Sequence, residues 1–189
     1  MIILIGGNSC TGKTIMSQKL LERYKIPYFS IDHLKMGLYR SDGHCGFTPL
    51  DSNEVIAAKL WPIMKEMIKT MIENNQSRII EGCYLLPKFV KDLEEQYPDK
   101  IISVYLGFST NYIENNFKSS IIKYRNIIEN RGCFEERPIK EFINEHNKFR
   151  QTCIDYGVQY HEINSDYEEE IKTVYELIDN RMAEVHLKK

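Results

Sequence analysis

The sequence predicts an α/β protein: a five-stranded parallel sheet with helices on both faces, three layers in all, and a small helical lid. Three observations carry that expectation. Short apolar runs alternate with amphipathic segments about five times along 189 residues. A glycine-rich octapeptide, Gly7-Asn8-Ser9-Cys10-Thr11-Gly12-Lys13-Thr14, joins the first apolar run to the first amphipathic one. Two acidic residues, Asp32 and Glu81, end the second and third apolar runs. Right-handed crossovers in a parallel sheet bring such strand ends to one edge, where ligands bind.

Each element follows from local pattern. Ile2-Ile3-Leu4-Ile5 is the first strand, and the helix after the octapeptide places Ile15, Met16, Leu20, Leu21 and Tyr24 on one face. Pro27 to Ile31 reads as the second strand, ending at Asp32, with a short helix over about 33–40. Residues 40–53 are rich in Gly, Pro, Ser and Asp and read as a loop. A long helix runs from Glu54 to about Asn74, with Ile56, Leu60, Ile63, Met64, Met67 and Met71 as its buried stripe. Pro62 inside it is expected to kink it or mark a break. Ser77 to Gly82 is the third strand, Pro87 to Gln96 a helix, and Lys100 to Leu106 a fourth strand apolar enough to be central.

Residues 109–131 read as helix, with charge gathered toward the end. Pro138 opens a further helix whose face carries Ile139, Phe142, Ile143, His146, Phe149 and Cys153, and Gly157 stops it. Val158 to Ile163 is the fifth strand. Ser165 with Glu168 forms a capping box for the last helix, which buries Ile171, Val174, Ile178, Met182 and Val185.

Composition bounds the setting. A chain that is 42% hydrophobic and 28% charged is an ordinary globular protein, read as a single domain over 1–189 with the lid at about 118–137. A net charge of −2 gives no field that would gather nucleic acid or an anionic membrane. No apolar run approaches the ~18 residues of a membrane span. Neither partner is expected. The first apolar run reads as a strand leading into the octapeptide, so it is not expected to be a signal peptide. The five cysteines, Cys10, Cys45, Cys83, Cys133 and Cys153, are widely spaced and contain no C-x-x-C pair. They suggest neither a disulfide framework nor zinc, so reduced thiols and a cytoplasmic location are expected. His33, His44, His146, His161 and His186 lack metal-ligand spacing and read as structural or surface residues. The sequence is silent on oligomeric state.

The octapeptide has the pattern G-x-x-x-x-G-K-[ST] between a strand and a helix, the context in which it forms a phosphate-binding loop. Main-chain amides from Gly7 through Asn8, Ser9, Cys10, Thr11 and Gly12 to Lys13 are expected to surround an anion. Gly7 and Gly12 supply positive φ and close backbone approach. The next helix adds unpaired N–H groups and a positive dipole end. Lys13 is expected on the β- and γ-phosphates and the Thr14 hydroxyl on Mg²⁺, so the cofactors are ATP and Mg²⁺. Cys10 reads as a small side chain filling a variable loop position.

Four further groups are candidates for chemistry. Asp32 can orient or deprotonate an acceptor hydroxyl, or cap the helix that starts at His33. Glu81 can hold the metal or its water, or act as base. Arg125 and Arg131 can neutralise charge on the transferring phosphoryl group from a closing lid, while Lys118, Lys123 and Arg137 read more simply as a solvated face. Arg40 can clamp an anionic acceptor group. Trp61 and Tyr84 fall near the acceptor side, where either could stack on a ring, with core packing the simpler reading for Trp61.

On these residues the chain resembles the small P-loop kinases related to adenylate kinase. That P-loop NTPase group includes nucleoside monophosphate kinases, shikimate and gluconate kinases, chloramphenicol phosphotransferase and the zeta-toxin kinases. Gly7 to Thr14 is the specific match. Phe29-Ser30-Ile31-Asp32-His33-Leu34 looks like the acceptor-side segment of the group, Glu81-Gly82 like its counterpart after the third strand, and the stretch around Arg125 and Arg131 like the lid. The adenylate-specific signatures are missing: Gly-Asp-x-x-Arg is absent after the second strand, and Glu-Gly-Cys-Tyr-Leu-Leu-Pro replaces Asp-Gly-Phe-Pro-Arg after the third.

The resemblance implies an ATP-dependent phosphotransferase acting on a small molecule. An Asp at position 32 points to a hydroxyl acceptor, because a carboxylate repels a phosphate. The alternatives are a nucleoside or nucleoside monophosphate kinase, a kinase of the toxin type acting on a sugar nucleotide, and an ATP-binding regulatory protein that transfers nothing. The GTPase base-recognition motif Asn-Lys-x-Asp does not occur.

Overall fold

A computed structural model describes residues 1–125, 127–128 and 138–187. Its five strands are β1 (Ile2–Gly7), β2 (Tyr28–Ser30), β3 (Arg78–Glu81), β4 (Ile101–Phe108) and β5 (Tyr160–Ile163). They form one sheet in the order β2-β3-β1-β4-β5. The helices are α1 (Lys13–Tyr24), α2 (Ile31–Ser41), α3 (Asn53–Glu73), α4 (Pro87–Gln96), α5 (Thr110–Asn116), α6 (Ile139–Tyr156) and α7 (Tyr167–Leu187), with a π-helical segment Phe117–Ile122 after α5. The expected α/β architecture is what forms. By compactness the chain divides into one unit of Met1–Gly6 with Lys13–Ser103 and another of Gly7–Gly12 with Val104–Lys189.

In the first unit β1 pairs with β3 and β3 with β2, all parallel. Ile5 and Ser30 both align with Glu81, so β2 and β3 end level and β1 runs two residues further. Every residue of β1 is buried, as a central strand requires. α3 begins at Ser52, whose hydroxyl accepts from the Val55 amide at 3.4 Å. Its buried residues are Ile56, Ala57, Leu60, Met64 and Ile68, whereas Ile63 is 41% exposed. Ile63 thus leaves the expected stripe, Met67 and Met71 are only half-buried, and Ala57 and Ile68 join it. α3 runs through Pro62 as one helix, so no break forms there. α2 starts earlier than expected: Ser30 holds the N-cap position and Asp32 lies in the first turn, where a carboxylate favours the positive helix end. Asp32 is thus not the cap.

In the second unit β4 pairs in parallel with β5, Tyr105 aligning with Tyr160 and Phe108 with Ile163. β4 is buried along its whole length and lies between β1 and β5 in the strand order, as its apolar sequence implied. The helix expected over 109–131 is instead seven residues of α5 followed by the wider π-helical winding. α6 ends at Gly157 in the left-handed conformation, φ 61°, which leaves its amide bonded to Ile154. α6 is pinned to β4 by His146, which is buried and whose Nδ1 accepts the Phe108 amide at 3.1 Å. The start of α7 also differs from expectation. Asp166 Oδ1 accepts the Glu169 amide, and Glu170 accepts the amides of Asn164, Ser165 and Asp166. The cap is therefore Asp166 with Glu170 rather than Ser165 with Glu168. Burial alone would raise the Glu170 carboxyl, but those backbone bonds outweigh it and hold it below its ordinary value.

Candidate active site

The loop Gly7–Gly12 is built from main chain. Gly7 has φ 137°, Cys10 64° and Gly12 84°. Left-handed residues interleaved with ordinary ones turn successive N–H groups to one side, which is how an anion nest forms. Gly7 and Gly12 thus adopt the positive φ their positions imply. Packing fixes them as glycine a second time. A Cβ on Gly7 would collide with the Leu106 carbonyl oxygen, and one on Gly12 with the Tyr167 hydroxyl. Cys10 does more than fill space, because a non-glycine residue at φ 64° costs about 1 kcal/mol and here supplies a turn of the loop.

Side chains hold this loop by its carbonyls. Thr11 is 1% exposed and donates its hydroxyl to the Asn8 carbonyl at 2.9 Å. The Tyr167 hydroxyl lies 3.4 Å from the Thr11 carbonyl and donates to it. Tyr167 meets Phe108 edge to face, and Phe108 in turn stacks on Tyr112 and His146. Nothing in the local sequence signals Tyr167, which stands 156 positions from Thr11.

Lys13 and Thr14 follow Gly12 directly and open α1. Lys13 is buried. The Thr14 hydroxyl donates to Glu81 Oε1 at 3.3 Å, which brings together the two residues singled out for the metal. Glu81 closes β3 and is 2% exposed. A carboxylate so far from water is costly unless charge or several donors meet it, and a single neutral hydroxyl is a weak partner. Oxygen donors of this kind fit Mg²⁺, which binds through few protein groups and completes its shell from phosphate and water. Among the described residues no group of three or more His, Cys, Asp and Glu side chains could hold a metal by itself.

Asp32 and Tyr84 meet through a residue that sequence reasoning missed. Lys35 donates to Asp32 Oδ1 and to the Tyr84 hydroxyl, both at 2.8 Å. Burial pulls the Lys35 ammonium down, but its bonds to Asp32 and Tyr84 prevail and raise it above 10.5. Burial pushes the Tyr84 phenol up to about 12, so it keeps its proton. Tyr84 is 7% exposed and serves as an anchor for Lys35 rather than as an open stacking face. Trp61 stacks on Phe89 at 5.5 Å, which is the packing role expected of it. The signal for Lys35 was present: Asp and Lys three apart on one helix are neighbours. It also stands at the spacing where Gly-Asp-x-x-Arg carries its arginine.

The remaining candidates are dispersed. Arg40 is exposed in the last turn of α2, eight residues or about 12 Å of helix beyond Asp32. Arg125 is half-buried just past the π-helical segment, and Lys118 and Lys123 belong to the same stretch. Arg131 and Arg137, with half of the expected lid, lie outside the described residues.

No protein-family model and no curated protein matches this sequence. Solved structures do. Shikimate kinase from Bacteroides thetaiotaomicron matches with a TM-score of 0.55 at 14% identity, over 95% of this chain and 98% of that one. A gluconokinase from Sinorhizobium meliloti 1021 matches at 0.53 and 15%, over 90% and 86%. A sugar kinase from Janibacter sp. HTCC2649 matches at 0.57 and 14%, over 94% of each. At such identities the likeness is one of fold: the chain shares the fold of these three kinases.

Proposed function

We propose that the chain is an ATP-dependent phosphotransferase, a single kinase domain over 1–189 that moves the γ-phosphate to a hydroxyl of a small molecule. The observation that carries this reading is the pairing of Thr14 with the buried Glu81 immediately after a loop of three positive-φ residues. An anion nest followed at once by a metal-suited hydroxyl and carboxylate is what a Mg²⁺-nucleotide requires. The loop amides and Lys13 hold the β- and γ-phosphates. Thr14 and Glu81 hold Mg²⁺, which when bound would neutralise phosphate charge. Asp32 orients the acceptor. With an ammonium on one of its oxygens, Asp32 is better suited to orienting a hydroxyl than to stripping its proton. Arg125 and Arg131 neutralise charge on the transferring group, and Arg40 meets an anionic part of the acceptor. Similarity in fold to shikimate kinase and a gluconokinase supports a small-molecule acceptor.

One observation favours a second reading. Lys35 offsets the charge of Asp32 and so weakens the repulsion that argued against a phosphate-bearing acceptor. A nucleoside monophosphate is then an acceptor of the right kind. Acceptor-stimulated ADP release across a panel of hydroxyl-bearing metabolites and nucleoside monophosphates separates the two readings. Lys13→Ala is the control and is expected to abolish turnover with the fold intact. Turnover that survives Lys13→Ala, or ATP bound tightly with no acceptor in the panel stimulating ADP release, would count against the kinase reading.

A further inference from the structure

Tyr167 touches the loop at two points. Its hydroxyl donates to the Thr11 carbonyl, and it occupies the space that a side chain on Gly12 would need. These contacts bear on one peptide unit, Thr11–Gly12. No peptide bond in the described chain is cis. In a trans peptide the carbonyl and the N–H point in opposite directions across a rigid plane. Holding the Thr11 carbonyl toward Tyr167 therefore directs the Gly12 amide the other way. The Thr11 hydroxyl does the same for the Asn8–Ser9 unit by holding the Asn8 carbonyl, which directs the Ser9 amide. The tyrosine ring is itself held by Phe108, and burial above all keeps its phenol protonated, so it remains a donor.

We infer that Tyr167 is a positioning residue for phosphate binding: by anchoring the Thr11 carbonyl from behind, it aims the Gly12 amide at the bound anion and spares the loop the entropic cost of ordering on binding. The inference rests on the phosphate-loop reading and adds a residue that the loop motif does not contain.

Calorimetric titration of Tyr167→Phe with Mg-ADP and with inorganic tripolyphosphate tests it. Phenylalanine keeps the ring and its packing and removes only the donor. Both ligands are expected to bind about fivefold more weakly, the loss of one hydrogen bond, with the thermal midpoint of the ligand-free protein unchanged. Tyr112→Phe, which removes a hydroxyl from another ring stacked on Phe108, is expected to leave both affinities as they were. Three results overturn the proposal. Unchanged tripolyphosphate binding by Tyr167→Phe would show that the hydroxyl does not position the loop, and a loss confined to Mg-ADP would make it a nucleoside contact. Equal weakening by Tyr112→Phe would make the effect one of general packing. A wild-type protein that binds neither ligand would instead remove the phosphate-loop reading itself.

Discussion

The candidate functional residues divide into two halves made of different material. The loop Gly7–Gly12, the proposed phosphate site, is main chain, bent by Gly7, Cys10 and Gly12 and held by hydrogen bonds to its carbonyls. The proposed acceptor side is side chain, an ammonium on α2 joined to a carboxylate one turn away and to a phenol beyond β3. Backbone geometry tolerates almost no added atoms, whereas side-chain pairs can be exchanged for others of similar shape and charge. Under the proposed function, a loop of the first kind would serve a ligand that does not vary, the phosphate chain, and a cluster of the second kind a ligand that differs from one enzyme to another.

One methyl group placed in each half breaks or sharpens this contrast. Gly7→Ala must fit a Cβ against the Leu106 carbonyl at φ 137°. We expect a loss of about 3 kcal/mol in urea unfolding, together with loss of nucleotide binding. Wild-type stability in this variant would show the loop to be softer than its geometry implies. Glu81→Gln comes next. It removes a buried charge while keeping shape, so Mg-ADP affinity is expected to fall about tenfold while stability holds or rises. A magnesium titration of ADP binding reads the first effect and thermal unfolding the second.

Lys35→Met tests the other half. It removes the ammonium that both Asp32 and the Tyr84 hydroxyl hold, at an expected cost of about 2 kcal/mol, and most of that is recovered in Lys35→Met with Asp32→Asn. The sign with pH is fixed. Because the folded Lys35 pKa lies above 10.5, its contribution is complete below that value and is lost as pH rises through the higher folded one. The gap between wild type and variant in a denaturation series should therefore close only in strong alkali. The smallest effect is the mirror of the first. Gly37 lies on α2, where an added Cβ would meet nothing within 4 Å, so Gly37→Ala should stabilise the protein by about 0.5–1 kcal/mol without touching nucleotide affinity.

The same contrast explains what the sequence disclosed. The loop was legible because glycine at positions 7 and 12 is a demand of the backbone, and backbone demands repeat at fixed spacing. The alternating strands and helices were legible because β1 and β4 are apolar throughout and α6 carries Phe142, His146, Phe149 and Cys153 at helical intervals. Helix ends were less so: the Asp166 and Glu170 arrangement differs from the expected Ser165 and Glu168 by one and two residues, a shift that propensity alone does not resolve. The Lys35–Tyr84 bond spans 49 positions and the Tyr167–Thr11 bond 156, and neither has a local pattern that could announce it. Cys10 was hidden for another reason, since only the folded loop shows that this position needs a left-handed turn.

The π-helical segment Phe117–Ile122 sets the heading of the residues just beyond it. A winding that closes i to i+5 takes in one more residue per turn than an α-helix, so the chain leaves it dialled round by one place. The bearing of Lys123, Tyr124 and Arg125 is set by that surplus. Tightening the same residues to ordinary α-helical pitch would carry the three of them further round the axis, redirecting a cation without altering its identity, whereas excising one residue at the same time would restore their bearing.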